Sequence, residues 1–354
     1  MKKANSTLFQ RLVRFADERE RSIPSPQAPR WVHANPDADE VLKKTKVHRS
    51  MSFGRFRHLA WLEFNEGHYI ASVGFEHDIQ DPSLAPLDDI QGFDVCLLSE
   101  LVISPSVSAI TVYDVVAVDN LDDNPTYGGH DNAKIMALFP PIRVFQSTDL
   151  ISDDVVWSLF LNFSAEESRH GGSWIENSLA DALTDLAHSN IESLPYNELC
   201  RSTLDLDPRS LYMSLYRCIE ATYAHEKASK LKVALAVEGS WQEIAAALEN
   251  EMSWRPLEES SLKVVLSHAR EEDLREACDC LGVNLMADTS LPSAAGKAIY
   301  QLRNRIVHYR PAHEPLNFDA IDWNRLCHAL VSIASDVFHN AYGQEVSGVS
   351  TISA

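Results

Sequence analysis

The apolar residues of this chain change their spacing near residue 152, and that change limits the fold more than any other feature. Between about 50 and 150 they come in short runs: FRHLAWLEF, HYIASVGFE, FDVCLLSELVIS, AITVYDVVAVD and IMALFPPIRVF. Runs rich in Val, Ile and aromatic residues, broken by Asp-Pro, Gly and Asn-Pro, have the pattern of strands. The polar stretch Asn120–Asn132 separates two of them. Beyond 152 apolar positions recur every three or four residues, as on one face of a helix. Asp153 and Asp154 suit a helix N-terminus, and residues 173–188 are amphipathic. Past Pro208, helices are predicted over Arg209–Ala236, Trp241–Glu251, Ser260–Cys280, Ser293–Tyr309 and Asp319–Tyr342. Ser240 before Trp241-Gln242-Glu243 has capping-box spacing, and Ser267 before Glu271-Glu272-Asp273 has a weaker version. A further helix is predicted over 6–22, before the proline-rich connector Ile23–Pro29.

The pattern implies an α+β protein with an N-terminal, largely β part and a C-terminal all-α bundle. A helix and connector occupy 1–50, a mostly β sensor or recognition domain 51–150 and a helical linker region 151–204. A helical domain over 205–342 and a frayed tail over 343–354 follow. No internal repeat is visible.

Charge and cysteine usage narrow the function. The formal net charge is −20, with 14 Lys and Arg against 21 Asp and Glu in residues 205–354, and 17 against 30 before them. Phosphate binding relies on cationic side chains, so the charge argues against general adhesion to nucleic acid and any RNA site must be a local exception. No apolar run reaches the roughly 18 residues of a membrane helix. The first segment, MKKANSTLFQRLVRFADERERS, spaces Leu8, Leu12, Val13 and Phe15 amphipathically and lacks a signal peptide's apolar core. A soluble cytoplasmic protein is expected. Of the cysteines (Cys96, Cys200, Cys218, Cys278, Cys280 and Cys327), only Cys278 and Cys280 are close. They lie about 200° apart on a helix and cannot readily share a metal. Buried free thiols are expected, with no metal and no cofactor.

One late segment carries chemistry. Within Gly296–Pro311, Ile299, Leu302, Ile306 and Val307 make an apolar face, and Arg303-Asn304-Arg305-Ile306-Val307-His308 sets an arginine five residues before a histidine. Asn304 and His308 are four apart, so the amide is placed to orient the imidazole. Arg303 and His308 lie about 140° apart on an ideal helix, and the long arginine side chain is expected to swing to a shared cleft. Pro311 is expected to end the helix. Metal-free RNA cleavage needs one group to move the 2′-hydroxyl proton and another to steady charge on a phosphorane-like transition state. Histidine, which titrates near neutrality, suits the first task. Arginine, whose planar fork pairs with phosphate, suits the second. Arg305 and Arg310 add local positive charge.

This R-x4-H segment resembles the signature of the HEPN superfamily (higher eukaryotes and prokaryotes nucleotide-binding), and LRNRIVHYR is especially like its Apea-type subset. The resemblance covers residues 205–342 and includes an early helix with Leu215-Tyr216-Arg217-Cys218-Ile219-Glu220. It implies a helical bundle in which Arg303 and His308 are catalytic and Asn304 is the polar residue after the arginine. It also implies a site shared by two subunits of a homodimer, and RNA cut without metal to a 2′,3′-cyclic phosphate and a 5′-hydroxyl. The implied role is a toxin or antiviral (anti-phage) effector cutting tRNA or mRNA, controlled by a regulatory protein or ligand at the N-terminal domain. Tyr309 is placed either to stack on a base or to sit as a partly buried aromatic at the helix end, the two readings being equal. Glu220 either supports the site or pairs with Arg305, the ion pair being the stronger expectation. The alternative is a non-catalytic HEPN module that binds a nucleotide or a partner protein. A third reading gives the function to the N-terminal domain and leaves the helices as a dimerisation scaffold.

Other features have plainer readings. Lys43-Lys44-Thr45-Lys46-Val47-His48-Arg49, with Arg55, Arg57 and His58, reads as a solvated loop before it reads as a nucleic-acid contact. Gly128-Gly129-His130-Asp131 and His170-Gly171-Gly172-Ser173 lack the strand–turn–helix spacing of phosphate loops and read as turns. Trp241 and Trp254 are expected in the helical core or a dimer interface. No Asp, Glu and His cluster has metal-ligand spacing.

Overall fold

A computed structural model describes residues 2–24, 29–33, 35–77, 79, 81–118, 127–170, 173–285, 289–308 and 318–343. The chain is of mixed α+β character and divides into two compact units, 1–156 and 157–354.

The first unit contains α1 (Lys2–Asp17), β1 (Val32–His33), α2 (Pro36–Lys44), β2 (Lys46–Phe53), β3 (Arg57–Phe64), β4 (Gly67–Val73) and β5 (Leu84–Pro86). These are followed by α3 (Phe93–Glu100), α4 (Ala109–Val118), β6 (His130–Asp131), α5 (Asn132–Met136) and β7 (Ile142–Ser147). Strands β2, β3, β4, β7 and β5 form an antiparallel sheet in that order. Ala60 stands opposite Ala71, and Ala71 opposite Val144, so these residues share a sheet face. That face joins Leu8 and Leu12 of α1, Leu97 of α3 and Val112 of α4 in one buried core. Strands β1 and β6 pair separately and in parallel.

Two of the runs expected as strands are helices instead. FDVCLLSE is buried continuously from Phe93 to Ser99, so no polar face discloses its helical period, and a short apolar run of that kind is ambiguous. Its backbone bonds mark it as a helix: the Cys96 amide donates to the Gly92 carbonyl (3.1 Å) and the Leu101 amide to the Leu97 carbonyl (2.8 Å). The Oδ1 atom of buried Asp94 accepts from the amides of Gly92 (2.9 Å) and Val95 (2.6 Å), and Asn132 Nδ2 donates to its Oδ2 (2.8 Å). Burial raises the Asp94 carboxyl above its usual range, which these bonds oppose. Gly92 starts the helix at φ +94°, where an added Cβ would stand 2.5 Å from the Ala38 carbonyl. AITVYDVVAV also forms a helix despite its β-branched residues, and both α3 and α4 pack on α1. Tertiary packing here overrides strand propensity. Only the end of IMALFPPIRVF becomes a strand, β7. Residues 1–50 are no separate appendage, because α1 lies in this core and β2 begins at Lys46.

The second unit takes in α6 (Val155–Arg169), which starts just before it, then α7 (Asn177–Ser189), α8 (Tyr196–Thr203), α9 (Pro208–Glu220) and α10 (His225–Leu235). It continues with α11 (Trp241–Met252), α12 (Glu258–Leu266), α13 (Glu271–Cys280), α14 (Leu291–Val307) and α15 (Trp323–Tyr342). Helix α15 is central, packing on α7, α9, α12 and α13, while α8 packs on α9. Residues 157–204, expected as a helical linker, therefore lie inside this unit. Caps set several boundaries. Asp207 precedes Pro208 at the start of α9, Asp322 accepts from the Arg325 amide (3.1 Å), and Ser240 and Glu243 form the expected capping box. Two helices predicted as continuous are broken, at 221–224 and at 267–270. Ser267 is no N-cap; its hydroxyl donates backwards to the Val264 carbonyl (2.6 Å).

Candidate active site

Helix α14 enters through Pro292 in its first turn, where a missing amide hydrogen costs nothing. It ends at Val307, leaving His308 as an extended C-cap residue (φ −109°, ψ 106°) whose amide donates to the Asn304 carbonyl (2.9 Å). The ideal-helix separation of Arg303 and His308 therefore no longer applies. Arg303, Asn304 and His308 all line one open groove of about 860 Å³ between α12 and α14.

Two supports hold Arg303, whose side chain is 20% exposed. Its Nη1 donates to Asn304 Oδ1 (2.9 Å), and its guanidinium lies over the Tyr216 ring, 5.8 Å from the centroid. The Asn304 amide oxygen thus holds the arginine, which corrects the expectation that it orients the imidazole. Glu258 Oε1 is 3.9 Å from Arg303 Nη2, beyond hydrogen-bond range. The buried Arg303 Nε has no hydrogen-bond partner among the described residues. Nη2, which is hydrogen-bonded to no described residue, is the donor left for a phosphate oxygen. His308 is exposed, and its imidazole makes no hydrogen bond among the described residues.

Behind the arginine stands a polar cluster from α9 and the turn that follows it. Tyr212 and Tyr216 are fully buried. Tyr212 donates to the Ile299 carbonyl (2.6 Å), tying α9 to α14, and Tyr223 donates to the Tyr216 hydroxyl (3.2 Å). Burial pushes the Tyr216 hydroxyl up to about 12, so it stays protonated. Glu220 is half-buried, and burial followed by the charge of Glu258 raises its carboxyl above the usual range, against the pull of Arg303 and Arg217. Among the described residues it forms no ion pair with Arg305, the stronger of the two roles expected for it.

The other expected site residues do not all converge. Arg305 is exposed and outside the groove lining. Tyr309 and Arg310 lie outside the described residues, as does Pro311. The groove instead recruits Lys263, Lys297 and Tyr300, which sequence reasoning missed. A signal was present: Lys297, Tyr300 and Asn304 are spaced three and four apart, which puts them on one stripe of a helix. Glu258 and Glu259 line the same groove, so its charge is mixed rather than uniformly basic.

Elsewhere one of the plainer readings changes. The basic run is not a loop; it ends α2 and forms β2. Carboxylates meet most of it: Asp39 lies 4.0 Å from Lys43, Glu63 3.4 Å from Lys46 and 2.7 Å from His48, and Asp153 2.9 Å from Arg49. His130-Asp131 is strand β6, with Asp131 capping α5, so no phosphate loop forms there. Gly171 and Gly172 lie outside the described residues. Trp241 is buried against His225 and Tyr342. The cysteines are free, and burial raises the thiols of Cys96 and Cys218 to about 12. Among the described residues, no cluster of His, Cys, Asp and Glu is placed to hold a metal, and no helix is long and apolar enough to cross a membrane. No protein-family model, curated protein or solved structure matches the chain.

Proposed function

We propose that this chain is a HEPN-type, metal-independent endoribonuclease acting on tRNA or mRNA as a toxin or anti-phage effector. The observation that carries the reading is the convergence of Arg303, Asn304 and His308 on one groove, with a donor of the arginine unpaired. In the proposed reaction the RNA 2′-oxygen attacks the adjacent phosphorus while the P–O5′ bond breaks. His308 takes the 2′-hydroxyl proton, and Arg303 neutralises the charge building on the non-bridging oxygens. The leaving 5′-oxygen gains a proton from the same residue of a second copy, so a homodimer is the active form. The products are a 2′,3′-cyclic phosphate and a 5′-hydroxyl. The second unit acts as the HEPN-like nuclease bundle, and the first unit as the sensor that controls it in the cytoplasm.

The test is RNA cleavage by the purified protein in EDTA, with product ends read by mass spectrometry. Cyclic-phosphate ends that vanish with His308→Ala are expected. RNA left intact by the wild-type protein in every oligomeric state, with nucleotide binding retained, favours the rival binding module. Glu258 and Glu259 line the same groove and repel phosphate, which favours a partner protein over a nucleotide as that rival's ligand.

A further inference from the structure

Within the first unit, α1 and the chain around Trp31 border a second groove, of about 1350 Å³. Phe9, Val13 and Ile23 give it an apolar floor. Its most distinctive member is Trp31, which is 37% exposed and yet fixed. The Trp31 carbonyl accepts from the His130 amide (2.8 Å), and the Trp31 amide donates to the Tyr127 hydroxyl (3.2 Å). That hydroxyl is also hydrogen-bonded to His130 Nδ1 (2.7 Å), and the Tyr127 ring meets the indole edge-on at 6.4 Å. Gly129, at φ +98°, lies against the indole so closely that an added Cβ would stand 2.9 Å from Trp31 Cε3. The ring is therefore held before any ligand arrives.

Cations complete the groove. Lys2, Lys3 and Arg30 line it, and none of them forms an ion pair among the described residues. Arg14 is occupied by Glu18 (2.8 Å), which leaves Asp17 as the other carboxylate of the described lining. Arg30 Nη2 donates to the Pro24 carbonyl (2.6 Å), but its buried Nε has no hydrogen-bond partner among the described residues. On a chain carrying −20 overall, this is a local positive site.

We infer that this groove binds a nucleotide, its base stacked on the Trp31 indole that Tyr127 braces edge-on, and its phosphate held by Arg30 with Lys2 and Lys3. Stacking of a base on an aromatic side chain is worth about 1–3 kcal/mol, and a guanidinium recognises phosphate directionally. A fatty acid anion would use the floor and the cations but gain little from a fixed indole. An uncharged ring would leave Lys2, Lys3 and Arg30 without an anion. The volume exceeds the roughly 300–1,000 Å³ of usual small-ligand pockets, so the site has room for more than one nucleotide unit.

The test is calorimetric titration of the full chain with ATP, GTP and the dinucleotide pApA, against adenosine, inorganic phosphate and laurate. At least one nucleotide should bind saturably, with adenosine and phosphate each weaker by about tenfold or more. Trp31→Ala and Arg30→Gln should each weaken it by about tenfold, Trp31→Phe should retain most affinity, and Gly129→Ala should lose affinity with the tryptophan still present. Circular dichroism checks each fold; if Trp31→Ala unfolds, Arg30→Gln and Trp31→Phe decide. Absence of saturable nucleotide binding, or laurate binding more tightly than any nucleotide, overturns the inference. So does affinity lost with Arg303→Ala but kept with Trp31→Ala, which puts the nucleotide between α12 and α14. None of these readouts depends on RNA cleavage, so the site along α1 and the ribonuclease reading stand or fall separately.

Discussion

The groove between α12 and α14 and the groove along α1 both gather cations on an acidic chain, but they surround them differently. In the first, Lys263, Lys297 and Arg303 share the walls with Glu258 and Glu259. In the second, Lys2, Lys3 and Arg30 stand beside a fixed indole and an apolar floor. A phosphate about 4 Å from one unit charge near a protein surface gains or loses about 4 kcal/mol at an effective dielectric of 20. Attraction and repulsion therefore largely offset each other in the α12–α14 groove, and binding there depends on where the Arg303 donors point. Along α1, stacking adds to charge. On the proposed readings the first groove engages a phosphate briefly during attack, and the second holds a ligand.

The largest effects should separate the two grooves by chemistry. His308→Ala should lower RNA cleavage by about 10²–10⁴-fold, as expected for a lost proton-transfer group. Arg303→Ala should cost about 10²–10³-fold, and Arg303→Lys should recover little, because an ammonium lacks the planar fork and cannot be held in the same way by Asn304 and the Tyr216 ring. Arg305→Ala, outside the groove, should cost far less. Cleavage rates at saturating RNA measure all four. If Arg305 matters as much as Arg303, the groove is not the site.

A smaller effect tests the mixed charge. RNA affinity should fall with rising salt, and replacing Lys263 or Lys297 by Gln should reduce the slope of log K against log salt by about 0.7 each, the value for one single-stranded phosphate contact. Glu258→Gln should do the opposite to affinity, strengthening RNA binding at low salt. Binding by fluorescence anisotropy from 50 to 200 mM salt, in the range where such slopes are read, decides. An unchanged slope in both lysine variants would remove RNA from this groove.

How far the sequence discloses each groove follows from the kind of pattern that builds it. The α14 stripe is legible because a helix repeats its faces, so Arg303, Asn304, Lys297 and Tyr300 can be placed together by counting. The end of α14 is not, since one residue of C-cap geometry moved His308 off the helix and freed it from the stripe. The α1 groove joins residues 2–31 to Tyr127 across most of the first unit, and no local spacing announces such a meeting. Its hidden marker is Gly129, which looks like an ordinary turn glycine until the indole lies against it. A different limit hides α3: a helix buried along nearly its whole length shows no period, and backbone bonds such as the Cys96 amide to the Gly92 carbonyl (3.1 Å) are what distinguish it from a strand. Helix α4 is hidden by its β-branched residues instead, although Ile110, Thr111 and Asp114 are exposed.

The smallest effect expected is a dependence on pH that the two grooves should not share. Burial and the charge of Glu258 raise the Glu220 carboxyl above its usual range. A carboxyl that holds its proton more tightly in the folded chain than in the unfolded one contributes stability at low pH. That stability is fully present below the ordinary glutamate value of about 4.3 and is lost as the pH climbs through the raised one. Charged Glu220 therefore weighs against the fold at neutral pH. Glu220→Gln should raise the melting temperature at pH 7–8, and the gain should shrink as the solution is acidified toward about pH 4. Along α1, burial lowers Arg30 from the usual arginine range, but a guanidinium does not deprotonate across this interval. Arg30→Gln should consequently shift the melting temperature by the same amount at pH 5 and pH 8. Thermal melts of both variants across that range test the contrast. A pH-independent gain for Glu220→Gln would mean that burial does not raise the Glu220 carboxyl in the folded chain.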